Sequence, residues 1–229
     1  MKVDIRRNWW KGLSILFLLY TAIMGMLGTV PRLQILNETI RNLYFHVPMW
    51  FGMTLLLLGS MVYAIRLIRN PTDKTLDIKS LELTRAALMM GIAGLTTGMV
   101  WAKFTWGSFW TNDPKLNASA LGMLIYAMYF LLRKAIRDQD QRARVSAVFN
   151  IVAFVLFNVL IFVLPRLTDS LHPGNGGNPG FNSYDLDSDL RKVFYVAVIG
   201  WFLAGLWLAQ LRIRISLLDF KTDKPLYSE

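Results

Sequence analysis

Six long uncharged runs constrain this chain more than anything else in it. They cover Gly12 to Val30, Val47 to Ile65, Ala86 to Ala102, Ala118 to Leu132, Val145 to Leu164 and Val193 to Leu211, nearly half of the 229 residues. A helix needs roughly 20 residues, within a range of about 17 to 25, to cross the ~30 Å hydrocarbon layer of a bilayer. Five runs are long enough alone, and the fourth, at 15 residues, qualifies once Leu116 and Asn117 join it. Charged residues make up only 17% of the chain, against about 25% in a typical soluble domain, and the deficit lies in these runs. The reading is an all-α polytopic membrane protein: one integral domain over residues 1–229, with six transmembrane helices near 12–30, 47–65, 86–102, 116–132, 145–164 and 193–211. The first run follows a basic start but is too long for the apolar part of a signal sequence, and no clear small-x-small cleavage site follows it. It reads as a retained span.

The net charge of +10 is explained by topology rather than by nucleic acid, because the basic residues sit in short clusters between spans and not on one soluble face. If the helices alternate, the termini and the second and fourth loops share a side and carry 18 of the 25 Lys and Arg residues. The first, third and fifth loops carry the other 7. The positive-inside rule then puts both termini in the cytoplasm and the odd loops outside. The charged connection from Arg133 to Arg144 reads as a solvated linker.

Several chemistries are excluded. With no cysteine there is no disulfide, no thiolate metal site and no C-x-x-C-H attachment of haem to this chain. No G-x-x-x-x-G-K-[ST] phosphate loop is present, so no nucleotide site is supplied. The six runs contain no Asp, Glu, Lys, Arg or His, which argues against an ion-coupled carrier with relays at membrane depth. Asn150, Asn158, Thr96 and Thr97 read as interhelical hydrogen-bonding groups.

The odd loops hold the unusual residues. The two histidines of the chain, His46 in Y-F-H-V-P-M-W and His172 in S-L-H-P-G-N-G-G, both fall on that side. Pro48 suits the first turn of the second span, which places His46 near the outer interface. The Gly- and Pro-rich surroundings of His172 demand a loop. Two imidazoles without nearby carboxylate or thiolate companions supply a closed zinc site poorly, but two axial nitrogens suffice for haem iron. Between them lies W-A-K-F-T-W-G-S-F-W-T-N-D-P-K-L, where Trp101, Phe104, Trp106, Phe109 and Trp110 put five aromatics into ten residues. By composition a stacking platform for a flat ligand and an interfacial aromatic belt are equally open.

The segment W-G-S-F-W-T-N-D, Trp106 to Asp113, resembles the tryptophan-rich signature of haem-handling proteins, close to W-G-x-W-W-x-W-D. The chain over about residues 10 to 215 resembles the six-span haem exporter protein C family of the cytochrome c maturation system. The order is shared too: one histidine before the second span, the signature between spans three and four, and one histidine before the sixth. The resemblance implies a haem-binding and haem-transfer protein rather than an enzyme, in the bacterial inner membrane with its haem site facing the periplasm. It implies non-covalent haem b with His46 and His172 as axial ligands, and a porphyrin lying against Trp106, Phe109, Trp110 and Asp113, with Trp101 nearby. Arg41, five residues before the first histidine, and Lys115, two after the signature Asp, are the implied partners of the propionates. The implied partners of the chain are a periplasmic haem chaperone, a small single-span subunit, and the membrane and ATP-binding subunits of an ABC complex, which would carry any ATP hydrolysis. Asn112 and Phe109 depart from the signature by replacing tryptophans. Two other readings stay open: a membrane-anchor subunit of a respiratory complex holding b-type haem, and a carrier for a neutral solute.

Overall fold

The computed structural model of the protein describes residues 5–32, 36–172 and 186–222. Helix α1 (Ile5–Leu27) is followed by a 3-10 turn (Asn37–Asn42) that runs directly into α2 (Leu43–Arg69). Then come α3 (Lys74–Trp106), α4 (Pro114–Ala135), α5 (Gln139–Asn158) and α6 (Ser188–Thr222). A π turn (Val159–Val163) and a 3-10 turn (Leu164–Arg166) prolong α5. All six helices, with their turns, are long and apolar enough to cross a membrane, and no strand occurs among the described residues.

Helix starts follow from side-chain caps. Asp73, Asp113 and Asp138 each occupy the position before a helix and accept a backbone N–H, from Thr75, from Lys115 and Leu116, and from Gln141 respectively. Each satisfies donors that have no partner inside the helix. Pro114 takes the first position of α4, where its missing N–H costs nothing. At the other end of α3, Gly107 adopts φ +80°, the left-handed conformation that lets the chain leave a helix. The helices overrun the uncharged runs: α3, at 33 residues, is about 50 Å long.

Helix α2 is the centre of the bundle, packing on α3, α5 and α6, while α1 packs on α6 and α4 on α5. The core between them is built from Met53, Leu56, Leu57, Tyr126, Phe157 and their neighbours. Leu16, Leu19 and Ile23 on α1 and Val148, Val152 and Val155 on α5 are exposed, as suits surfaces that face hydrocarbon.

Polar groups inside the bundle are tied together. Asn150 Nδ2 on α5 donates to Ser60 Oγ on α2 (2.7 Å) and Ser80 Oγ on α3 (3.1 Å), and the Ser60 hydroxyl also bonds Thr84 Oγ1. Asn150 therefore joins three helices, as expected. Asn158 and Thr96 do not: each bonds a carbonyl four residues back in its own helix, Phe154 and Ile92, the acceptor nearest to a short polar side chain on a helix. Two further expectations are corrected. Pro48 lies in the second turn of α2 rather than the first, because the 3-10 turn leads straight into a helix that begins at Leu43. Arg133 belongs to no solvated linker: it is buried on α4 and makes a bidentate pair with Asp77 of α3 at 2.7 Å on both arms. Glu82 on α3, also buried, is met by Arg85, by Arg212 Nε of α6 at 2.7 Å and by Ser216 Oγ. These pairs lie beyond the ends of the uncharged runs, where paired ions can be kept inside the bundle.

Candidate functional site

The C-terminal half of α3 organises the histidine-bearing end of the bundle. Gly91, Gly94 and Gly98 put backbone where side chains would otherwise stand, and α2 fills the space: Met53 against Gly91, the Trp50 indole against Gly94 and the His46 imidazole against Gly98. A Cβ at Gly98 would lie 2.5 Å from His46 Cε1 and 3.0 Å from Nδ1. The close approach also puts His46 Nδ1 2.8 Å from the Gly94 carbonyl. A carbonyl only accepts, so Nδ1 carries the proton and Nε2 keeps its lone pair. The Trp101 indole meets the imidazole edge-on, with centroids 5.9 Å apart. It is held there by its own N–H, which donates to Thr39 Oγ1 of the 3-10 turn at 3.0 Å.

His172 is placed by a second device. Asp113, with 3% of its surface exposed, caps α4 through Oδ1, and the same oxygen faces His172 Nδ1 at 2.9 Å. Its Oδ2 accepts from Ser170 Oγ (2.9 Å) and Leu171 N (2.7 Å). Burial works to raise the pKa of this carboxyl, but the bonds from His172, from the Leu171 N–H and from the Ser170 hydroxyl prevail and hold it well below the usual carboxylate range. Facing a carboxylate, Nδ1 of His172 is again the donor and Nε2 the free ring nitrogen. The Trp106 ring packs on His172 in a T-shaped contact with centroids 4.8 Å apart.

Both imidazoles are therefore seated against α3 tryptophans five residues apart, about 7.5 Å along the axis, and both present Nε2 rather than Nδ1. This is how metal-binding histidines are usually prepared: the far nitrogen is fixed by a carbonyl or carboxylate, which sets the tautomer and the ring direction. Among the described residues no group of three His, Cys, Asp or Glu side chains forms a metal site, so a pair of imidazoles is the donor set available. That set suits an iron already held by a porphyrin and suits a bare tetrahedral ion badly.

The remaining residues fall into two groups. Phe109 (52%) and Trp110 (39%) stand exposed on the loop after α3. The Trp110 indole N–H donates to Asn117 Oδ1, and Asn117 Nδ2 donates to Asn112 Oδ1, so Asn112 braces the loop through α4. Lys103 Nζ bonds the Gly107 carbonyl and lies over the Phe109 ring. Trp101 is partly buried in the cluster around Ile40, Tyr44, Leu190 and Phe194, so it packs the interior as much as it touches His46. Arg41 is engaged at the end of α1, where it donates to the Gly25 and Gly28 carbonyls at 3.0 and 2.7 Å and pairs with Glu38. Lys115 sits in the first turn of α4, two residues after the Asp113 cap. Pro173 and the glycine-rich stretch after it lie outside the described residues. Gly94, Gly98 and Ser170 were not anticipated. The G-x-x-x-G spacing of Gly94 and Gly98 was the signal of a close helix approach.

Comparison with known proteins identifies the family. Residues 3–227 match the family described as heme exporter protein C. Proteins of that name from Rhodobacter capsulatus and Paracoccus denitrificans are 25% and 26% identical to the chain, over 90% and 78% of its length and 85% and 73% of theirs. A cytochrome c biogenesis protein CcsA from Parasynechococcus marenigrum is 32% identical over 42% of the chain and 31% of its own length. With the match running through all six helices and both histidines, this chain belongs to the heme exporter protein C family.

Proposed function

We propose that the chain binds haem b non-covalently at the outer face of the bacterial inner membrane, between His46 and His172, and passes it to a periplasmic haem chaperone for cytochrome c biogenesis. The names of its relatives support a role in haem export and cytochrome c biogenesis. The observation that carries the finer reading is that both imidazoles at one end of the bundle have Nδ1 engaged, by Gly94 O and by Asp113, and Nε2 left to a ligand. Phe109 and Trp110 supply exposed ring faces for the porphyrin, with Trp106 beside His172. Asp113 acts through His172 and the fold of the loop, since both of its oxygens are occupied away from solvent. Lys115 and Arg41 serve the propionates, each by exchanging contacts it makes in the folded chain, which for Arg41 are the bonds to α1 and Glu38. The chain works as a handling subunit and not as an enzyme. An ABC complex of membrane and ATP-binding subunits, with a small single-span subunit, supplies the ATP-driven step.

In this reading the protein's own contribution is positioning. The imidazoles hold the iron from two sides, the aromatic loop covers one porphyrin face, and an exposed edge is left for the acceptor. Purification with haem present, followed by pyridine haemochrome assay, tests it: about one haem per chain, transferred to an apo-chaperone, is expected. Haem-free protein under haem-replete expression would refute the proposal and favour a carrier. A cysteine placed at Ser108 tests the sidedness, and should react with an impermeant maleimide in intact spheroplasts; reaction only after lysis would reverse the topology.

A further inference from the structure

The two imidazoles are mounted in different ways. His46 is part of the α2 backbone helix, seated in the Gly94–Gly98 hollow, and its Nδ1 bonds a main-chain carbonyl that cannot move without α3. His172 stands on a short non-helical segment after the turn at Leu164–Arg166, and three successive residues of that segment, Ser170, Leu171 and His172, are held by a single side chain, Asp113. The His172 N–H also closes on Ser170 Oγ at 3.1 Å, so the segment and the carboxylate form one closed set of bonds. Ser170 and His172 are separated from Asp113 by 57 and 59 residues, and the carboxylate is also the cap of α4. One buried group therefore couples the tryptophan-rich loop to the fifth loop.

We infer that the two histidines hold their ligand on unequal terms: His46 is the fixed support and His172 a releasable arm, with the Asp113 carboxylate as the latch that positions it. The inference rests on the haem reading above and adds the order of release to it. During hand-over the bond between iron and His172 Nε2 breaks first. The electron pair stays on nitrogen, no proton or electron is transferred, and a lone-pair donor of the acceptor protein takes the vacated position while His46 remains bound. An Asp is suited to the latch because its charge strengthens the bond to Nδ1–H while the cap of α4 keeps it in place.

The test uses the full-length protein in detergent, loaded with ferric haem, with cyanide as the probe of axial opening. Asp113→Asn keeps the shape and removes the charge. Cyanide uptake should become about 10- to 100-fold faster, the range expected when a ligand loses the group that orients it. If His46 were the first to leave, this rate would stay at the wild-type value, and the order would be overturned. Haem loss to excess apomyoglobin supplies the second reading. Asp113→Asn should accelerate it much more in a His46→Ala background, where His172 alone holds the iron, than in a His172→Ala background, where only its bonds to the loop and to α4 are weakened. Equal acceleration in both backgrounds would reduce Asp113 to a general structural role and refute the latch. Should Asp113→Asn fail to accumulate, Ser170→Ala in the same two backgrounds gives the same contrast from a milder change. Wild-type protein that takes up no haem overturns the haem reading itself, whereas a low-spin wild type without the background dependence overturns only this inference.

Discussion

Replacing Gly98 by Ala is the sharpest steric probe of the site, because it adds one methyl group and no charge. The new Cβ would stand 2.5 Å from His46 Cε1 and 3.4 Å from Nε2. Carbon atoms in contact sit about 3.5 to 4.0 Å apart, so the ring must move by about 1 Å. Its bond to Gly94 O, now 2.8 Å, would then approach or exceed 3.5 Å and cease to orient the ring. Overpacking of this kind costs about 1 to 3 kcal/mol, equivalent to roughly 5- to 150-fold in affinity if it appears in haem binding. Gly59→Ala is the control: its Cβ would meet Leu83 at 3.5 Å, an ordinary contact, and Ala is the better helix former. Haem titration followed by absorbance should show weakened, partly high-spin binding for Gly98→Ala and wild-type binding for Gly59→Ala. Equal affinity and identical spectra for the two variants would refute the claim that the Gly98 hollow seats a ligand histidine.

Other variants separate site from scaffold. Trp110→Ala should leave the melting temperature near wild type, since the ring is exposed, yet slow haem delivery to the acceptor; Trp101→Ala should lower the melting temperature, since its ring packs against the cluster that contains Ile40 and Phe194 and its N–H is bound to Thr39. Asp77→Asn should destabilise by about 3 to 5 kcal/mol, because it leaves the Arg133 guanidinium buried without a counter-charge, and Asp77→Asn with Arg133→Met should recover most of that loss in a thermal unfolding assay. Asn150→Ala should cost about 1 to 2 kcal/mol by removing the group that joins α2, α3 and α5, without changing the haem spectrum; an unchanged melting temperature would show the cluster to be dispensable.

The six helices were legible because hydrocarbon imposes a length and forbids unpaired charge, and both conditions can be counted in a sequence. Helix ends were less legible. A run stops at the first charged residue, whereas α3 continues through Arg85 and Glu82 to Lys74 because its charges find partners on α6 and α4. The same effect hid Arg133, which reads as the start of a solvated loop until Asp77 is placed beside it. Both histidines and the aromatic loop stood out by residue type. Their coupling did not, since Asp113 and His172 lie 59 residues apart and no local pattern announces that a helix cap will also hold a loop. Arg41, which the family resemblance offers as a propionate partner, carries a further role that no local pattern announces: it bonds the carbonyls of Gly25 and Gly28 at the end of α1, 16 and 13 residues away.

The central claim is that iron is held between His46 and His172, and the absorption spectrum of the haem-loaded protein with each histidine replaced in turn tests it most directly. The wild type should be six-coordinate and low-spin in both oxidation states. His46→Ala and His172→Ala should each give a five-coordinate, high-spin spectrum or lose haem, and added imidazole should restore the low-spin form by filling the emptied position. A low-spin spectrum that survives both replacements without imidazole would contradict the account, because the ligands would then have to come from elsewhere in the chain.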